Sequence, residues 1–278
     1  VNSFADVFPS KPIIGMLHLR ALPGAPEYSG RMSDIIDPAL VDANALQGGG
    51  VDGIMIENFF DAPFFKDQVG PETIAAMARV MSLIRPEIDL PLGVNVLRND
   101  GRAALAIATA CECQFVRINQ VSWAMLTDQG ILEGKAAEVA RYRRYLDSGV
   151  LIFADCLTKH AVPLAPQSIE LVALDTWERG GVDAIIISGP ATGRETDVED
   201  VLGARKGAPA APILIGSGVT LENLHRFLPV ADGILVGTYF KEKGHVAGPV
   251  DKSRVESIVN RRRQFLEADE EHLPPETR

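Results

Sequence analysis

Eight short apolar runs, separated by amphipathic stretches, constrain this chain more than any other feature. They fall at 12–17, 53–56, 92–97, 115–118, 150–154, 184–187, 213–215 and 233–236. Each has the length of a strand buried on both faces. Between them the pattern turns helical over 39–47, 71–84, 103–111, 135–146, 169–179, 197–206, 221–228 and 255–266. Pro71 suits the first turn of the second helix, and Gly48-Gly-Gly50 ends the first in the manner of a C-cap. Eight strand-then-helix units call for a parallel sheet. With no doubly wound dinucleotide fingerprint, the count predicts an α/β fold closed into a (β/α)8 barrel. A chain of 278 residues suits one such barrel, typically about 250 residues long. A single domain over 1–278 is expected, with its core at about 11–266 and a polar, frayed tail at 267–278. Gly50-Val-Asp-Gly53, Gly181-Val-Asp-Ala184 and Val230-Ala-Asp-Gly233 precede three of the strands and read as one turn solution used three times.

Composition narrows the function classes. The formal charge is −10, from 27 basic and 37 acidic residues, which argues against a nucleic-acid surface. Arg261-Arg-Arg263 reads as the solvated end of the last helix. Cys111, Cys113 and Cys156 lack the pattern of a disulfide framework or of a zinc site. No run of 18 apolar residues and no signal-peptide pattern occurs, so a soluble, cytoplasmic protein is expected.

In a barrel of this kind, chemistry sits at the C-terminal ends of the strands. Reading those ends in order gives His18; Glu57; Asn95, with Arg98 following; Arg117 and Asn119; Asp155, then Lys159 and His160; Ser188; Gly216-Ser-Gly218; and Gly237-Thr238. Polar groups emerging from successive apolar strands need a shared polar pocket, because burying them unpaired is costly. Asp155, Lys159, His18 and Glu57 are the candidates for proton transfer or electrophilic help. Asp155 and Lys159 are read as a paired acid and base, or else as a salt bridge holding the loop. Asn95, Arg98, Arg117, Asn119 and Ser188 are the candidate substrate-binding residues. Asn95 and Asn119 have satisfied barrel-interior amides as their alternative reading. Arg117 is expected to point inward, toward Glu57 or Asp155.

The late segments Ile213-Leu-Ile-Gly-Ser-Gly-Val-Thr220 and Gly233-Ile-Leu-Val-Gly-Thr238 have the character of a phosphate site built after the seventh and eighth barrel strands. Glycines there let a backbone approach a ligand. A helix beginning at Thr220 would aim its N–H groups at an anion. The turn Ser188-Gly-Pro-Ala-Thr-Gly-Arg194 has an anion-binding composition. Thr192, Gly193, Gly216, Ser217, Gly218, Gly237 and Thr238 are therefore the candidate phosphate-binding residues, and a phosphorylated small molecule is the expected ligand. Two loops, Leu19 to Asp34 and Gln120 to Gly134, are long enough for lids or interface segments. Trp123 and Leu22-Pro-Gly24 are the candidate partner surface. No cofactor is expected. A divalent metal held by Glu57, Asp155 and His18 is the alternative that the residue types leave open.

Pro12-Ile-Ile-Gly-Met-Leu-His-Leu19, Leu22-Pro-Gly24, Gly93-Val-Asn-Val-Leu-Arg-Asn-Asp100, Thr127-Asp-Gln-Gly130, Lys159-His-Ala161 and Ile215-Gly-Ser-Gly-Val-Thr220 resemble the BtpA family, also written BtpA/SgcQ, from about Lys11 to Leu266. One local departure is Cys111-Glu-Cys113, which stands where a small Gly-Ala-type turn is expected. The resemblance implies a phosphate-binding barrel of the ribulose-phosphate type. It also implies a link to photosystem I biogenesis at a membrane, with other members in sugar-uptake and sugar-kinase settings and a suggested role in nucleotide hydrolysis. It supplies no agreed catalytic residues. Peripheral membrane association rests on that resemblance alone, since no basic amphipathic helix is present.

Three functions follow as expectations. The first is an isomerase, epimerase or lyase acting on a phosphorylated sugar or nucleoside-derived compound. The second is a non-catalytic assembly factor for photosystem I or a related membrane complex. The third is a nucleotide hydrolase, disfavoured because no Gly-x-x-x-x-Gly-Lys-Ser/Thr loop exists. Homo-oligomer formation is expected on general grounds.

Overall fold

The computed structural model describes residues 2–271. Eight parallel strands close into a barrel: β1 (Ile13–His18), β2 (Gly53–Glu57), β3 (Leu92–Asn95), β4 (Phe115–Ile118), β7 (Leu151–Asp155), β9 (Ala184–Ile187), β10 (Ile213–Ile215) and β11 (Gly233–Val236). They pair in that chain order, and β11 returns to β1 with Ile13 beside Ile234. Three further strands, β5 (Ala124–Thr127), β6 (Gly130–Glu133) and β8 (Ala161–Pro163), form a separate antiparallel sheet in the order β6-β5-β8.

The helices are α1 (Phe4–Val7), α2 (Ser33–Gly48), α3 (Pro71–Ile84), α4 (Gly101–Ala110), α5 (Ala136–Tyr145), α6 (Ile169–Glu178), α7 (Val198–Gly207), α8 (Leu224–Phe227) and α9 (Lys252–Glu271). Pro71 opens α3, as its spacing predicts. Three local corrections stand out. The helix expected from 39 starts at Ser33 and carries Pro38 inside it; the Asp34 carbonyl, which loses its helical partner there, accepts from Arg20 Nη1 at 3.3 Å. The helix expected over 221–228 is a single turn. The Thr220 N–H is taken by Asn223 Oδ1 at 2.8 Å, so no helix N-terminus opens at that position. The tail expected to fray from 267 continues α9 to Glu271, and 272–278 lie outside the described residues.

The apolar residues form two cores. One lies between the strands and the outer helices; the other fills the barrel itself, with Ile14, Met16, Met55, Phe115, Phe153, Ile186, Leu214 and Leu235. The barrel interior is closed at the strand N-termini by an element the sequence reading missed. The short α1 brings Phe4 and Phe8 onto Phe115 and Phe153, with Phe8–Phe115 edge-on at 5.3 Å and Phe4–Phe153 at 5.7 Å. Polar residues are thereby left to the opposite pole.

The thrice-repeated turn has one physical role. Asp52, Asp183 and Asp232 each accept an N–H at the start of the preceding barrel strand, from Ile13 (2.8 Å), Ile152 (2.7 Å) and Ile213 (2.8 Å). Each is also held by an arginine: Arg262, Arg143 and Arg205 respectively. Arg262, read from the sequence as part of a solvated run, is thus committed to Asp52. Before β4 the same position holds Gln114, whose Oε1 accepts the Leu92 N–H at 2.9 Å.

Candidate active site

The strands deliver their polar C-terminal residues to one mouth, around a cavity of about 610 Å³. Of the residues expected there, His18, Glu57, Arg98, Arg117, Asn119, Lys159, Thr192, Gly193, Gly216, Ser217, Gly218, Gly237 and Thr238 line it. Asp155, Asn95 and Ser188 do not.

Asp155 is buried behind the wall. Its carboxylate takes two hydrogen bonds from Arg117, Nε at 3.1 Å and Nη2 at 2.9 Å, and a third from Asn119 Nδ2 at 2.7 Å. Asn95 extends the network by donating to Asn119 Oδ1 at 3.2 Å and to the Arg117 carbonyl at 3.0 Å. The expected Asp155–Lys159 pair is not formed. A carboxylate with its lone pairs this fully taken holds Arg117 and Asn119 in place instead. Lys159 donates to the Gly216 carbonyl at 2.8 Å, and Arg98 donates to the Lys159 carbonyl.

Three ionisable groups at the wall have shifted proton affinities. Burial, together with the positive charges of Lys241, Lys159 and Arg117, pushes His18 down to about 3, so its ring is neutral at ordinary pH. Burial pushes the Glu57 carboxyl up, against the opposing pull of Arg117, Lys159 and Arg98. Burial, then the Arg117 charge, pushes Lys159 down to about 8, with Asp155 and Glu57 pulling the other way. His18 Nε2 stands 4.0 Å from Glu57 Oε1, and the imidazole stacks on Phe59 at 4.3 Å between centroids.

The three Gly-rich turns meet at this mouth. Ser217 Oγ donates to the Arg194 carbonyl at 3.0 Å and accepts from the Gly189 N–H at 2.8 Å, which locks the turn after β10 onto the turn after β9. The Ser217 hydroxyl is therefore structural, and its backbone is what faces the cavity. Thr192 is likewise tied, its N–H and hydroxyl each 3.3 Å from His160 Nε2. Gly218 has φ +72°, and a Cβ there would fall 2.3 Å from the Glu195 Cα. At Gly216 a Cβ would lie 2.4 Å from Ser188 Oγ. Only glycine keeps both turns this close. Among the described residues, no hydrogen bond takes the N–H groups of Gly193, Gly218 or Thr238. Gly218 and Thr238 are half-buried, and donors so placed need an acceptor, whereas Gly193 is exposed at the rim.

Sequence reading missed several lining residues: Glu27 from the loop after β1; Phe59, Phe60 and Phe64 from the loop after β2; and Tyr239 and Arg254 beyond the last strand. The Arg254 guanidinium lies over the Tyr239 ring at 4.1 Å. The strand-end rule could not reach them, because they come from loops and from the start of α9. The cluster Phe59-Phe60…Phe64 was the one available signal. The candidate partner surface also changes. Leu22 is fully buried, its N–H donating to Asp61 Oδ1 at 2.8 Å, whereas Trp123 stays 36% exposed. The long loop containing Trp123 is largely the β5–β6 hairpin. Among the described residues, no three His, Cys, Asp or Glu side chains group as a metal site. No described helix is long and apolar enough to cross a membrane.

A closed parallel barrel of eight strands, with Gly-rich turns converging at its C-terminal mouth, defines a (β/α)8 barrel. N-(5'-phosphoribosyl)anthranilate isomerase from Pyrococcus furiosus shares the fold, with a TM-score of 0.56 at 12% identity over 91% of this chain and 99% of that one. The chain belongs to the BtpA family, whose model matches residues 9–264. It is 42% identical to Photosystem I biogenesis protein BtpA from Synechocystis sp., over 89% of this chain and 86% of that protein. It is 35% identical to the putative sgc region protein SgcQ of Escherichia coli, over 90% and 94%.

Proposed function

We propose that this protein is an enzyme that binds a phosphorylated small molecule at the barrel mouth and moves a proton on it, in an isomerase, epimerase or lyase reaction. The observation that carries this reading is one cavity lined both by Gly193, Gly218 and Thr238, with untaken N–H groups, and by Glu57, Lys159, Arg117 and His18. The phosphate would sit on the turns at Thr192-Gly193, Gly216–Gly218 and Gly237-Thr238, with Lys159 supplying positive charge beside Gly216. Glu57, its proton affinity raised by burial, is the group suited to take and return a proton. Neutral His18 can donate or accept a hydrogen bond at the reacting carbon's oxygen, and Arg117 and Asn119, fixed by Asp155, would orient hydroxyls. The isomerase that shares the fold acts, by its name, on a phosphoribosyl compound.

The test is calorimetric titration with inorganic phosphate and pentose phosphates. Saturable binding, weakened at least tenfold by Gly218→Ala, is the expected result. Absence of heat with every phosphate, in protein shown to be folded, would overturn the reading.

The name of the Synechocystis relative favours a second reading, a non-catalytic assembly factor that keeps the pocket as a sensor. Glu57→Gln separates the two. A catalyst loses its biological role with that one change, whereas an assembly factor keeps it.

A further inference from the structure

The cavity has a second face that phosphate recognition does not use. Four of the eleven phenylalanines of this chain fall within the seven residues 59–65, on the loop between β2 and α3. Three of them, Phe59, Phe60 and Phe64, line the cavity and are half-buried rather than packed into a core. The loop is anchored from beneath: Asn58 Oδ1 accepts the Leu97 N–H at 2.7 Å, and Asp61 accepts from Asn58 Nδ2 at 3.0 Å and from the Leu22 N–H at 2.8 Å. His18, Phe59 and Phe60 form a run of touching rings that starts beside Gly237, and Phe64 lines the same cavity. A Cβ on Gly237 would lie 3.2 Å from His18 Cε1. The His18 ring stacks on Phe59 at 4.3 Å and 26°, and Phe60 meets Phe59 edge-on at 5.1 Å. His18 is neutral, so it extends an uncharged π surface and does not interrupt it. Half-exposed aromatic faces in a cavity leave apolar area in water that a flat partner would cover.

Resting on the phosphate reading above, we infer that the ligand carries a flat apolar or heteroaromatic ring in addition to its phosphate, and that Phe59, Phe60 and Phe64 hold that ring. A bare sugar phosphate would leave this wall wet. The cavity volume of about 610 Å³ lies within the range that accommodates such two-part ligands, roughly 300–1,000 Å³. Nucleobase and simple arene present the same face to these side chains.

The experiment is a calorimetric series with adenosine 5'-monophosphate, ribose 5-phosphate, phenyl phosphate and inorganic phosphate. It is run on the wild-type chain and on Phe60→Ala and Phe64→Ala, each checked for an unchanged unfolding midpoint. The expected result is that at least one ring-bearing probe binds about tenfold or more tightly than its ring-free counterpart, the scale of one stacked ring. That advantage should vanish in Phe60→Ala or Phe64→Ala while ribose 5-phosphate affinity stays put. Whichever pair shows the advantage identifies the ring as nucleobase or arene. Equal affinities within both pairs, or an advantage that survives both substitutions, overturns the ring subsite and leaves the phosphate reading standing. Failure of all four probes overturns that reading as well.

Discussion

The site residues that could be read from the chain were those carried by the strands themselves. His18, Glu57, Arg117 and Asn119 each follow or interrupt an apolar run, and a strand end in a barrel has only one place to point. Asp155 meets one expectation and not the other: it pairs with Arg117, whose strand neighbour is Phe153, while Lys159 turns to the Gly216 carbonyl instead. The pair is buried, both side chains being under 5% exposed. Replacing Asp155 with Asn leaves a buried guanidinium without its counter-charge, at an expected cost of about 3–5 kcal/mol in denaturant unfolding. A measured loss below 1 kcal/mol would show that Arg117 finds another partner. The phosphate reading makes a pH prediction as well. A bound phosphate monoester becomes a dianion above its second pKa of about 6, and Lys159 loses its charge through about 8. Affinity for a phosphate ligand should therefore rise, peak and fall between those limits, and Lys159→Met should remove the alkaline fall while weakening binding throughout. A flat profile above pH 7 in the wild-type chain would take Lys159 out of phosphate binding.

At the level of elements, run length and period were enough for the eight barrel strands, because a strand buried on both faces is apolar throughout and little else in a chain looks so. The elements missed were those whose signal is short or divided. Thr127-Asp-Gln-Gly130 has the composition of a loop, yet it is the turn of a hairpin in which Met125 and Leu132 face each other buried while Leu126 and Ile131 face each other exposed. Its third strand, β8, lies some thirty residues on, where no local pattern announces it. The plug helix α1 is only four residues, too short for any periodicity. Its contribution can be measured directly. Phe8 is 5% exposed and packs on Phe115 and Phe153, so Phe8→Ala should destabilise by about 3 kcal/mol or more. A small effect would mean that the interior is sealed by the strands alone.

At the level of the molecule, the barrel separates its two tasks by pole. The strand N-termini carry the Asp52, Asp183 and Asp232 clamps, which fix register by satisfying an N–H at the start of a neighbouring strand. The C-termini carry ionisable groups in an environment that does not suit their charges. The two poles should respond oppositely to substitution. Asp52→Ala removes the bonds to Ile13 and to Arg262 of the last helix, near the seam where β11 meets β1. It should cost about 2 kcal/mol of stability and leave phosphate affinity within twofold. Glu57 works the other way. Its folded pKa lies above the unfolded value because burial penalises the carboxylate, so between those two values the folded chain holds the extra proton. Stability that Glu57 contributes in its neutral form is present below the unfolded value and is lost as pH rises through the folded one. Glu57→Gln keeps the shape and removes that loss. The variant should therefore be as stable as the parent or more so at neutral pH, with a flatter dependence of unfolding free energy on pH, while turnover falls by about a hundredfold or more. A Glu57→Gln chain that is less stable at pH 7 than the parent would show that the carboxylate is held by its cationic neighbours, and proton transfer would then have to be assigned to another group.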